Sequence, residues 1–188
     1  MAKKILKYAI ILIGAIVLIL GSLFVYGVYI NPKSPKDVVS YEKEGIHMEV
    51  HYSRPYKKER LIFGTLENQA LVPFGKYWRL GANFATRLET AKPVHFAGRE
   101  IEAGSYRMYA IPYSDHWIVA LHADGKGFGY NVPDQANDVM RVNIATRQIS
   151  ESIEQFTIDF VSDENDETNN VELRMRWDTT MVTVPIGH

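Results

Sequence analysis

Three side chains spaced two apart, His47, Glu49 and His51 in "IHMEVHYS", have the types that bind a metal ion. On an extended backbone they share one face, with same-face neighbours about 7 Å apart, and imidazoles so placed can converge on one ion. The polar face of a half-buried strand yields the same triplet, and spacing alone places no further His or carboxylate to complete a shell. No cofactor is therefore expected. A second set is built on arginine: Arg54, Arg60, Arg79, Arg87, Arg99 and Arg107 crowd the middle of the chain. "YSRP" and "WRLGAN" each put a guanidinium near aromatic rings, an arrangement that suits a carboxylate or sulfate because the planar fork binds two oxygens and stacks on a ring. The alternative is a set of structural ion pairs, with Glu49, Glu67 or Glu89 as available partners.

Other stretches offer less. "DGKGFGYN", Asp124 to Asn131, is Gly-rich but lacks the following helix and the Lys-Ser/Thr step of a phosphate cradle, so a long hairpin connection is expected. "SDENDETNN", Ser162 to Asn170, lacks the Gly and terminal Glu of a calcium loop and reads as a solvated turn. Ser53, Ser105 and Ser114 and six histidines are present, without a Gly-x-Ser-x-Gly elbow. Cysteine is absent, which excludes disulfides, zinc-thiolate sites, a thiol nucleophile and a lipidated N-terminal Cys.

The elements that must hold these residues fall into two kinds. Lys3, Lys4 and Lys7 precede an uncharged apolar run from Tyr8 to Ile30, which as a helix is about 34 Å long against a bilayer core of about 30 Å. Tyr8, Tyr26 and Tyr29 lie near its ends, where amphipathic rings favour the interface, and Pro32 stops it. A cleaved signal peptide has a shorter apolar region and a small-x-small site, approached here only at Val25-Tyr26-Gly27. The expected division is a cytoplasmic N-terminus (1–7), a transmembrane helix (8–30), a linker (31–36) and a strand-built domain (37–188).

After the linker the pattern changes to alternation of period two. "DVVSYEKEGIHMEVHYSRP" predicts two strands around a Glu-Gly turn, with Ile46, Met48, Val50 and Tyr52 on the core side. Further strands are expected at 87–91, 94–96, 105–111, 117–122, 139–146, 153–161, 171–177 and 181–186, about ten short ones in all. The fold class is all-β, an antiparallel sandwich or jelly-roll-like barrel behind one N-terminal transmembrane helix. "YKKERLIFGTLENQALVPFGKYW" breaks the alternation and reads as a loop with one helical turn and a short strand, wrapped over an end or edge. With a net charge of −1 the chain has no bias toward nucleic acid.

Four stretches, "YSRPYKKERLIFG", "LVPFGKYWRLGANFAT", "AGSYRMYAIP" and "DVMRVNIA", together resemble a bacterial family catalogued as domain of unknown function 2911, across roughly Ser34 to Ile186. The family-like positions are Tyr52, Ser53, Arg54, Pro55, Arg60, Phe63, Gly64, Trp78, Arg79, Gly81, Ala82, Asn83, Ala85, Thr86, Ala103, Gly104 and Tyr106. Glu59 departs from a Gly of that pattern, and His47 and His51 lie outside it. The resemblance implies no reaction.

The sequence thus reads as an outward-facing binding or envelope-structural module held in the cytoplasmic membrane. Its partners would be the bilayer, through residues 8–30, and a carboxylated or sugar-like small molecule or a peptide. The candidate surface has Tyr52 and Trp78 as platforms, Arg54 and Arg79 as anion forks, Asn83 and Thr86 as hydrogen-bonding groups, and Arg60 as a further ligand-binding candidate. The rival is a hydrolase or metal-dependent enzyme with His51 or His122 as base. If Arg54 and Arg79 serve only the scaffold, this binding surface is lost.

Overall fold

The computed structural model describes residues 2–30, 32–125, 129–162 and 171–187. They form two units, residues 1–35 and residues 36–188. The first is helix α1 (Ala2–Val25), continued by a π-helical turn at Tyr26–Ile30. Within it Lys4–Val25 is long and apolar enough to cross a membrane, and none of that apolar surface is buried in the protein.

The second unit is mostly antiparallel strand. Strands β1 (Lys36–Lys43) and β2 (Ile46–Ser53) form a hairpin whose two-residue turn, Glu44 and Gly45, has both φ angles positive, as a primed turn requires. Next to β2 lie β5 (Thr86–Thr90), β8 (Gly104–Pro112), β9 (His116–His122) and the first part of β10 (Asp138–Ser162). The second part of β10 pairs with β11 (Val171–Gly187), and that sheet continues through β6 (Val94–Phe96) to β7 (Arg99–Ile101). One strand therefore serves both sheets, the usual way of turning a corner between packed sheets.

The described residues hold eleven strands, close to the ten expected, but four of the expected short strands are corrected here. Residues 139–146 and 153–161 are two parts of the 25-residue β10, and 171–177 and 181–186 are two parts of the 17-residue β11. The polar stretches between them contain no Gly or Pro to break a strand. They form bulges instead, where pairing shifts between Gln148 and Ile153 and Asp178 takes φ 52°.

The segment after β2 runs over the end of the sheets. It has a small parallel pair, β3 (Phe63–Gly64) and β4 (Val72–Pro73), and turns at 66–69 in place of the expected helical turn. Part of its apolar surface faces inward: Ile62 and Val72 are buried and the Phe63 ring packs edge-on to Trp78, while Leu61, Leu66 and Leu71 stay exposed. All three tryptophans meet there. Trp78 lies 5.3 Å from Trp117 and stacks on Trp177 at 5.9 Å, with Phe156 at 4.9 Å. Buried aromatics of this size and geometry dominate a core of this kind.

Candidate functional site

The "WRLGANFAT" stretch is locally self-bonded. Trp78 exchanges backbone hydrogen bonds with Ala110 of β8, and its indole N–H donates to the Gly81 carbonyl at 3.2 Å. The chain then turns through positive φ at Leu80, Gly81 and Asn83. A Cβ on Gly81 would fall on the Ser53 carbonyl oxygen, so what the backbone approaches so closely here is the end of β2. Thr86 is fully buried and its hydroxyl donates to the Leu80 carbonyl at 2.5 Å. Arg79 donates to the Asn83 carbonyl at 3.0 Å and lies over the Tyr130 ring at 4.4 Å.

The other expected binding residues are occupied in similar ways. Trp78 is only 7% exposed and its ring is spent on the core rather than offered as a platform. Tyr52 is buried on the inner face, where its hydroxyl donates to the Ile158 carbonyl and accepts from the Ile158 amide. Burial, partly offset by that backbone bond and by the Arg54 charge, pushes the Tyr52 phenol up to about 12. Arg54 donates to Asp37, to the Phe156 carbonyl and to Thr157 Oγ1, tying β1 and β2 to β10. Arg60 is exposed and folds back onto the carbonyls of Tyr56 and Lys57. Tyr52, Arg54, Arg60, Trp78, Arg79, Asn83 and Thr86 are thus spread over both faces of the sheet and the adjoining loops rather than gathered around one opening.

The polar side chains that do gather lie on the outer face. Register places His51 beside Arg87, Arg87 beside Arg107, Arg107 beside His122, and His122 beside Asp138, a continuous row across five strands. One end of the row is covered. Arg107 donates to Tyr77 Oη and the Asn131 carbonyl, both at 2.5 Å. His122 accepts the Asp124 amide on Nδ1 at 3.0 Å, so its Nε2–H points at the Asp134 carbonyl 3.2 Å away. Both ring nitrogens of this buried histidine, the alternative base, are therefore engaged. Tyr109 donates to the buried Asp138 at 2.5 Å, and burial together with that bond pushes the Tyr109 phenol up. The "DGKGFGYN" loop begins flat on β8, since a Cβ on Gly125 would meet the Ser105 backbone at 2.5 Å; residues 126–128 lie outside the described residues. Residues 163–170, which include most of "SDENDETNN", also lie outside them.

The other end of the row is open. A pocket of about 520 Å³ is lined by Lys36, Asp37, Val38, His51, Tyr52, Ser53, Phe84, Ala85, Arg87 and Gly125. Lys36 Nζ sits over the Phe84 ring at 4.4 Å. Arg87 Nε lies 2.8 Å from Glu89 Oε1, and its terminal nitrogens meet no protein acceptor among the described residues. Ser53 is 1% exposed and its hydroxyl has no hydrogen-bond partner among the described residues. A buried hydroxyl left unpaired costs about 1–3 kcal/mol.

The His47, Glu49 and His51 triplet lies next to this pocket. Glu49 takes His47 Nε2 on one oxygen at 3.2 Å and His51 Nε2 on the other at 3.0 Å. Glu89 from β5 approaches His51 Nε2 to 3.7 Å. The carboxylate that spacing alone did not supply therefore comes from the neighbouring strand, directly opposite Glu49. Sequence reasoning named Arg87 and Glu89 only as members of an Arg-rich stretch and its acidic partners. Lys36 and Phe84 gave no signal, because their meeting depends on strand register and loop path.

A family model described as "Protein of unknown function (DUF2911)" matches residues 34–186. The chain belongs to the DUF2911 family. No curated protein matches the chain, and no solved structure does. Within the DUF2911 domain the long motif around Trp78 builds the junction of β2, β5 and β8. The pocket opens beside that junction, on the opposite side of the sheet from the tryptophan cluster.

Proposed function

We propose that this DUF2911 protein is a membrane-anchored binding module whose strand-built domain lies outside the cytoplasmic membrane, and that the outer-face pocket takes a carboxylate-bearing small molecule such as a sugar acid. The observation that carries this reading is the pocket itself: Arg87 and Lys36 help line about 520 Å³ of space. Two cations suit a carboxylate, and the Phe84 ring suits the apolar face of a sugar.

The experiment is a thermal-shift and calorimetric titration of the full chain in detergent with glucuronate, succinate and, as a neutral control, glucose. Glucuronate or succinate raises the melting temperature of the wild type, glucose does not, and Arg87→Gln and Lys36→Gln each weaken binding at least about tenfold, a loss of about 1.4 kcal/mol. Absence of any shift with either carboxylate, or an equal shift in Arg87→Gln, overturns the reading.

A further inference from the structure

Glu49 and Glu89 are Cα partners in the β2–β5 pair, so two carboxylates stand directly opposite each other on the open face of a sheet. Like charges in that relation are destabilising. Each carboxylate nevertheless turns one oxygen toward the same atom, His51 Nε2, at 3.0 Å from Glu49 Oε2 and 3.7 Å from Glu89 Oε2. One imidazole nitrogen can serve only one of them at a time. The three ligand atoms lie within 4.8 Å of one another, and their side chains are about one-third exposed.

The remaining oxygens are held from outside. Glu49 Oε1 has His47 Nε2 at 3.2 Å, while Glu89 Oε1 accepts from the Ser105 hydroxyl at 3.4 Å and has the Arg87 charge beside it, with Nε at 2.8 Å but not in hydrogen-bond geometry. Metal-binding carboxylates are commonly fixed in this way, one oxygen directed inward and the other anchored by a neighbouring donor. We propose that Glu49, His51 and Glu89 bind a divalent transition-metal ion, with His47, Arg87 and Ser105 orienting the two carboxylates.

The chemistry selects the class of ion. An imidazole nitrogen with two carboxylate oxygens suits zinc and its first-row neighbours better than calcium or magnesium, which prefer an all-oxygen shell. With bonds of about 2.0–2.2 Å, ligands around tetrahedral zinc sit about 3.4 Å apart, and the two observed separations from His51 bracket that value. A +2 ion removes the repulsion across the strand pair. Three protein ligands leave a fourth position, and His51 and Arg87 both line the neighbouring pocket. The ion site stands whether or not that pocket takes a carboxylate.

The test uses the untagged full chain in detergent, stripped with EDTA and titrated calorimetrically with Zn²⁺, and in parallel with Co²⁺ read by its visible absorption. The wild type binds one equivalent of Zn²⁺ with a rise in melting temperature, and Co²⁺ gives the intense visible bands of a low-coordinate site. His51→Ala and Glu89→Gln each lower Zn²⁺ affinity at least about tenfold, and His47→Ala lowers it by about 10–100-fold through the orientation of Glu49. His116→Ala, which alters a half-buried histidine paired with Asp115, leaves affinity and stoichiometry unchanged. The near-isosteric Glu89→Gln keeps the wild-type melting temperature or exceeds it when metal-free, which separates lost ligation from lost folding. No Zn²⁺ binding by the wild type, or binding unchanged in both His51→Ala and Glu89→Gln, overturns the proposal.

Discussion

Tyr52 shows how a residue picked out for recognition can instead hold the two sheets together. It sits on β2 with its ring edge-on to Phe156 at 5.8 Å, and its hydroxyl is bonded to both backbone groups of Ile158 on β10. Replacing it with Phe keeps the ring but leaves a buried carbonyl and amide unmatched, so Tyr52→Phe lowers stability by about 1–3 kcal/mol. The pH dependence gives a sharper signature. The phenol is held at about 12 in the fold against 10.0 for a free tyrosine, so the folded state keeps its proton where the unfolded state loses it. That contribution is fully present below pH 10 and is lost as pH rises toward 12. Denaturant melts across this range show a steeper loss of stability in the wild type than in Tyr52→Phe. Parallel slopes count against the assignment.

Among the elements, the two long strands show where periodicity stops being informative. Alternation located most strand positions, including 94–96, and it put Met48 and Val50 on the core side. It could not tell a bulge from a turn, since "RQISES" and "DTT" are polar in either case. What holds the bulge is a cluster of long-range contacts invisible to local pattern: Lys57 Nζ lies 2.5 Å from Asp178 Oδ1, and the Ser152 hydroxyl donates to the same oxygen at 2.8 Å. Burial raises the Asp178 carboxyl, but the bonds from Lys57 and Ser152 and the Lys57 charge outweigh it and leave the group below its ordinary 3.8. The stability this carboxylate contributes is present above pH 3.8 and is lost as pH falls through its folded-state value. Acid titration of stability is accordingly shallower below pH 4 in Asp178→Asn than in the wild type, as urea melts at successive pH values will show. The same limit governed the candidate site. His47, Glu49 and His51 were legible as a face, but the pairing of Glu49 with Glu89, and of His51 with Arg87, is a matter of register that no spacing within one strand encodes.

At the scale of the whole molecule, the contrast is between an apolar helix whose surface is left uncovered and a domain that buries its own core. In α1 large side chains such as Leu12, Leu18 and Leu20 are each more than 60% exposed, whereas the strand-built unit has an unbroken cluster running from Tyr41 to Ile186. Water does not tolerate so much uninterrupted hydrocarbon, so this helix needs a bilayer or must be removed. The two outcomes leave different chains. If α1 is a permanent anchor, the mature protein retains its N-terminal lysines, sediments with membranes, resists an alkaline carbonate wash and dissolves in detergent. If the N-terminal lysines also hold the N-terminus inside, as proposed, its strand-built domain is then cut by protease added to intact spheroplasts. A cleaved leader instead gives a mass that starts near Tyr26 to Val28 and a protein found in the soluble fraction. Placing Arg at both Leu12 and Leu18 adds about 2.5–3.5 kcal/mol per charge to insertion at mid-helix. The double variant therefore shifts from the membrane pellet into the cytosolic or aggregated fraction, and its domain becomes protected from external protease. Intact-mass measurement of the wild type decides between anchor and leader, and a mature chain beginning after Gly27 would remove the bilayer from its partners.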